Sequence, residues 1–259
     1  MTGMPERDSY SPGVPCWVDL STPDIDGAVA FYSGLFGWDI AESQPNTGGY
    51  RLAMLGGRPV AGLMPHMSEG QPTAWTTYVA TDDADATAEK VTASGGQVMA
   101  GPMDVMELGR SAVFLDPTGA AFGTWQANQF AGAGTVGDPG SFIWNELQTR
   151  DMAAEQSFYP AVLGWEVEDR PFGGRTYTIW KAGGEQIGGG MQMDENFPPE
   201  VPSHWLIYFG AQSTDDSAAK VSQLGGTVMV PPDDIPDMGR FAVVTDPQGA
   251  TFAFFQPAG

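Results

Sequence analysis

The chain has 259 residues, 42% of them hydrophobic and 11% aromatic, with 32 acidic against 11 basic side chains and a formal net charge of -21. That length suits one large or two ordinary domains, and the composition excludes a disordered chain. A charge of this sign repels phosphate backbones and anionic lipid heads, and no basic cluster offsets it, so nucleic acid and membrane surfaces are excluded as partners.

Residues 1–13 are polar and read as a flexible lead without an apolar export segment. No apolar run approaches the ~18 residues that a membrane helix needs, so a cytoplasmic protein is expected. The single cysteine, Cys16, rules out an intramolecular disulfide and reads as a small buried residue ahead of an apolar strand.

A first strand begins at Trp17 and is followed by an acidic helix start at Asp24. Ala28, Phe31, Tyr32 and Leu35 then make an apolar stripe at helical spacing, and Gly37 ends the helix. The strand-like runs RLAML, GGR and PVAGLM follow. A second unit repeats the order with Trp75, Asp82, Gly95 and the runs SAVFL, DPTGA and AFGTWQ. The glycine-rich stretch 129–141, QFAGAGTVGDPGS, lacks periodicity and reads as a linker. The whole pattern then recurs. Phe31, Tyr32, Gly37 and Trp38 return as Phe158, Tyr159, Gly164 and Trp165, an offset of 159 − 32 = 127. The Asp-Pro-x-Gly-Ala turn at 116–120 returns at 246–250, an offset of 246 − 116 = 130. The sequence therefore predicts an α+β chain of four βαβββ modules, two per half, in domains 14–128 and 142–259.

Four such modules, with the LFGW and DPTGA motifs, resemble the vicinal oxygen chelate superfamily of glyoxalases, bleomycin-resistance proteins and extradiol dioxygenases. The chain is most similar to a two-domain actinobacterial subgroup, hydroxylase-like or 27-kDa-antigen-like, some of whose members accompany aromatic polyketide pathways. The resemblance implies paired modules curling into two open cups, one per half. It also implies where metal-dependent members place ligands: on the first strand, about seven residues before the acidic helix start, and on the last strand. In this sequence the first-strand positions are Trp17, Trp75, Trp144 and Trp205, and the last-strand positions are Gly123 and Ala253. None supplies a metal donor, and the chain has only two histidines, so no metal and no other cofactor is expected.

Alternation along the strands predicts what lines the cups. Trp17, Asp19, Trp75, Thr77 and Trp125 are expected in the first, and Trp144, Glu146, Trp205, Ile207 and Phe255 in the second, with Tyr78 and Tyr208 turned toward the helices. Asp19, Glu146 and His204 are the candidate acid–base residues. Arg110 and Arg240 are candidate anion contacts, or partners of Asp104 and Asp237. Two functions follow. One is a metal-free protein that holds a planar hydrophobic or aromatic molecule. The other is a lyase, isomerase or hydroxylation-assisting enzyme that uses a cup carboxylate or an atypical metal site. A role with vestigial cups plugged by their own tryptophans stays open, as does the choice between monomer and homodimer.

Overall fold

The structure, a computed structural model, describes residues 7–259. The first half runs β1 (Pro15–Thr22), α1 (Ile25–Phe36), β2 (Asp39–Ile40), β3 (Arg51–Leu55), β4 (Arg58–Pro65), β5 (Ala74–Ala80), α2 (Ala84–Ala93), β6 (Gln97–Val105), β7 (Gly109–Leu115) and β8 (Ala121–Ala127). The second repeats it as β9 (Phe142–Thr149), α3 (Met152–Leu163), β10 (Glu166–Phe172), β11 (Arg175–Ala182), β12 (Glu185–Gln192), β13 (His204–Gly210), α4 (Thr214–Gln223), β14 (Thr227–Ile235), β15 (Gly239–Thr245) and β16 (Thr251–Pro257).

Local chemistry sets these boundaries. Asp24 and Asp151 accept the backbone N–H groups of Gly27 (3.0 Å) and Ala154 (3.1 Å), capping α1 and α3. Gly37 (φ 72°) and Gly164 (φ 71°) end both helices in the left-handed region. One strand assignment is corrected: GGR opens with the turn between β3 and β4. DPTGA, counted among the strand-like runs, is wholly the turn before β8 that its Asp-Pro-x-Gly chemistry predicts. The missing strands are β2 and β6, the second of them largely exposed and therefore without the apolar alternation that marks a strand.

Each half forms one eight-stranded mixed sheet, in the orders β2-β3-β4-β1-β5-β8-β7-β6 and β10-β11-β12-β9-β13-β16-β15-β14. In the first, β1 pairs parallel with β4 and antiparallel with β5, and β5 pairs parallel with β8. One face of each sheet is the cup; the other packs toward helices and toward the opposite half.

That packing interlocks the halves. Phe31 of α1 meets Phe252 of β16 edge-on at 6.5 Å, and the Tyr32 hydroxyl donates to Asp246 Oδ2 at 2.9 Å. Reciprocally, Phe158 of α3 meets Phe122 of β8 at 6.0 Å, and the Tyr159 hydroxyl donates to Asp116 Oδ2 at 2.8 Å. So each Asp-Pro-x-Gly turn is tied to a helix of the other half. The linker is strapped down as well: Phe130 N–H donates to Leu108 O (3.1 Å), Ala133 N–H to Cys16 O (2.8 Å) and Gly134 N–H to Pro59 O (2.8 Å). Of the expected flexible lead, residues 1–6 lie outside the described residues, while the Tyr10 hydroxyl donates to Ala133 O at 2.6 Å. Among the described residues no helix is long and apolar enough to cross a membrane.

Candidate functional site

Strand register decides which side chains enter each cup. Trp17 and Asp19 of β1 face Tyr78 and Thr76 of β5. Gly62 of β4 is level with Asp19, and Tyr50, just before β3, lies across it: a Cβ at Gly62 would collide with the Tyr50 hydroxyl. Gly123 of β8 is level with Tyr78 and leaves room for that ring in the same way. The result is a chain of contacts. Trp17 Nε1 donates to the Tyr50 hydroxyl at 2.9 Å, and Asp19 lies between Tyr50 and Tyr78, hydrogen-bonded to the latter.

The second cup repeats it with one substitution. Trp144 Nε1 donates to the Tyr177 hydroxyl at 3.0 Å, and Tyr177 donates to Glu146 Oε2 at 2.8 Å. Glu146 Oε1 accepts Tyr208 at 3.2 Å and Gln148 Nε2 at 3.0 Å. Gly189, level with Glu146, makes room for Tyr177 as Gly62 does for Tyr50. A Gly189→Ala substitution is expected to push Tyr177 off Glu146 and to cost roughly 1–3 kcal/mol, as overpacking does. Urea unfolding checks this, and a variant as stable as the parent would mean that the ring is not held over Gly189.

Burial sets the electrostatics. Loss of water pushes the Asp19 carboxyl up to about 7, against a smaller opposing effect of the Tyr78 hydrogen bond. Desolvation, then the neighbouring carboxylate, raises the phenols of Tyr50, Tyr78, Tyr177 and Tyr208. The phenols therefore stay protonated and act as donors toward the carboxylate.

These donors do not fit a divalent metal. The first cup offers one carboxylate, two protonated phenols and an indole N–H; the second adds Gln148 and, at the end of β13, His204, still short of the several anionic or imidazole ligands that such ions take. Among the described residues no group of three or more His, Cys, Asp and Glu side chains converges.

Several predicted positions are corrected. Trp75, Thr77, Trp205 and Ile207 do not enter the cups. Trp75 and Trp205 point to the opposite face, where they donate to Tyr32 (3.0 Å) and Tyr159 (2.9 Å), and Thr77 and Ile207 pair with Val18 and Asn145 on that same side. Tyr78 and Tyr208 take their places in the cups. The phase of β5 and β13 was illegible because both faces of these strands are buried, so alternation carries no polarity signal. Tyr50 and Tyr177 were missed, although their offset, 177 − 50 = 127, matches that of the tryptophans they contact. Arg110 is bound to Asp85 (2.9 Å) and Asp104 (2.9 Å), and Arg240 to Asp215 (2.8 Å) and to Asp234 (2.8 Å) rather than Asp237. Those arginines are held at helix starts, away from the cup carboxylates. His204 shares the cup-side register of Glu146 at the end of β13, next to Gln148, and its Nδ1 lies 2.9 Å from Pro202 O.

Comparison with known proteins agrees with this architecture. Residues 16–123 match the Glyoxalase/Bleomycin resistance protein/Dioxygenase superfamily, and residues 144–255 match the Glyoxalase-like domain family. CFP32 of Mycobacterium tuberculosis, which carries a glyoxylase name, is 44% identical over 98% of this chain and 99% of its own. The anthracycline biosynthesis protein DnrV of Streptomyces peucetius is 39% identical over 94% of this chain and 93% of its own. Among solved structures, the Mn(II)-bound glyoxalase of Novosphingobium aromaticivorans superposes with a TM-score of 0.65 at 17% identity, covering 95% of this chain and 82% of that one. The 2,2',3-trihydroxybiphenyl 1,2-dioxygenase of Sphingomonas wittichii does so with a TM-score of 0.65 at 17% identity, covering 95% and 91%. At such identities these structures share the fold alone.

Proposed function

The chain belongs to the glyoxalase/bleomycin resistance/dioxygenase superfamily, in two tandem copies, and on that premise we propose that it holds a flat aromatic small molecule in a cup without using a metal. The observation that carries this reading is the make-up of the cups. Indole and phenol walls suit a planar ring, and a single carboxylate ringed by donors can orient one hydroxyl of it. The part that DnrV plays in anthracycline biosynthesis, a pathway to polycyclic aromatic products, gives the reading further support.

Titration with 2-hydroxyanthraquinone, followed by quenching of tryptophan fluorescence, tests it. The affinity is expected to be the same before and after exhaustive treatment with EDTA. Loss of binding on metal removal, with recovery on adding Mn²⁺, Fe²⁺ or Zn²⁺, would overturn metal independence.

One observation favours a catalytic role instead: the Asp19 carboxyl, held at about 7, is poised to exchange a proton near neutral pH. Asp19→Asn and Glu146→Gln separate the two roles. A binder keeps its affinity within about tenfold, whereas an enzyme loses the ~10²–10⁴-fold that a general base contributes.

A further inference from the structure

The two cups are duplicates, yet among the described residues a strap with an aromatic ring crosses only the first. Phe130, the second residue of the linker, meets Trp17 edge-on at 5.0 Å and Trp125 at 6.1 Å. Its carbonyl accepts Trp125 Nε1 at 2.7 Å, and its N–H donates to Leu108 O at 3.1 Å. The ring thus bridges β1 and β8 across the first cup, and Trp17 and Trp125 are left 5% and 9% exposed. In the second cup the equivalent residues are Trp144 and Phe255. Both are only half-buried: they pack in one cluster with Tyr208 and Phe241, but among the described residues no ring bridges the two as Phe130 bridges Trp17 and Trp125. Half-buried Phe241 stands where the first cup has Ser111, adding one more apolar wall around Glu146.

We infer that Phe130 is a built-in occupant of the first cup, and that the second cup alone takes the external ligand, an aromatic ring placed against Trp144 and Phe255 as Phe130 is placed against Trp17 and Trp125. This rests on the binding function proposed above and says which cup performs it. The physical basis is effective concentration. A side chain tethered by a short strap meets its cup at an effective concentration on the order of millimolar, so an external ring that binds the same walls no better is excluded. The ligand class follows from the occupant: a planar aromatic ring, with a hydroxyl directed at Glu146, which already accepts hydrogen bonds from Tyr177, Tyr208 and Gln148.

Equilibrium dialysis of the full chain with 2-hydroxyanthraquinone tests this by stoichiometry. The parent is expected to bind one molecule per chain and Phe130→Ala two. Trp144→Ala is expected to bind none, and the Phe130→Ala/Trp144→Ala double variant one. Should Phe130→Ala fold poorly, 5-fluorotryptophan ¹⁹F NMR of the parent gives the same answer. The dye should shift the Trp144 resonance and leave those of Trp17 and Trp125 in place. Two molecules bound by the parent, one by Phe130→Ala, or a shift confined to Trp17 and Trp125 would each overturn the inference while leaving the binding function intact. A parent dimer that covers the second cup and does not dissociate on adding dye would also overturn it. No binding by the parent or by Phe130→Ala would remove the binding function itself.

Discussion

Tyr159→Phe lowers the unfolding stability by about 2–4 kcal/mol, the expected size when a hydrogen bond to a buried carboxylate is lost and its partners are left unmatched. The Tyr159 hydroxyl is a junction. It donates to Asp116 Oδ2 at 2.8 Å across the two halves and accepts Trp205 Nε1 at 2.9 Å. Removing it leaves an acceptor and an indole N–H without this partner in a site that water does not reach. Tyr32→Phe has the same expected effect, because Tyr32 donates to Asp246 at 2.9 Å and accepts Trp75 Nε1 at 3.0 Å. Urea unfolding followed by tryptophan fluorescence reads both. A single transition is also expected, because α1 packs on the sheet of the second half and α3 on that of the first. Losses below about 0.5 kcal/mol would mean that ring packing, not the hydroxyls, joins the halves.

These junctions show which parts of the structure were legible in the sequence. The duplication was plain, because matched aromatic residues and turns recur at nearly constant offsets. The helix starts at Asp24 and Asp151 were equally plain, because an N-cap carboxylate has a local signature. The cup contents were half legible. The faces of β1, β8 and β16 could be phased, whereas β5 and β13 run between a cup and the core shared by the halves, so both of their faces are buried and alternation gives no phase. Tyr50 sits in an irregular segment ahead of β3, where no periodicity exists to phase. The inter-half hydrogen bonds were not legible at all. Asp116 and Asp246 read as ordinary turn aspartates, and each does accept the turn's own N–H groups, at 2.8 Å from Ala120 and 2.8 Å from Ala250. Their second oxygens meet tyrosines 43 and 214 positions away.

One residue breaks the internal symmetry of this core, and its replacement should stabilise the protein. Glu155 of α3 is fully buried, its carboxyl oxygens have only the loose neighbourhood of Thr118 in place of well-formed hydrogen bonds, and Asp116 lies beside it. The matching position in α1, at 155 − 127 = 28, is alanine. Burial first, and then the Asp116 charge, pushes the Glu155 carboxyl up to about 8 from its ordinary 4.5. Between those values the folded chain holds a proton that the unfolded chain releases, so stability falls as pH rises. The contribution is fully present below 4.5 and is lost as pH passes through 8. Asp116 is itself raised by burial, and its effect has the same sign. Glu155→Gln keeps the shape without the charge. Its expected gain is negligible at pH 4 and grows to roughly 2 kcal/mol at pH 8. Glu155→Ala recreates the arrangement of the first half and should show the same loss of pH dependence, with a smaller gain because a cavity is left. Melting temperatures across that range decide it. Parallel pH profiles for parent and variants would show that Glu155 stays ionised in the fold, held by the Thr118 donors.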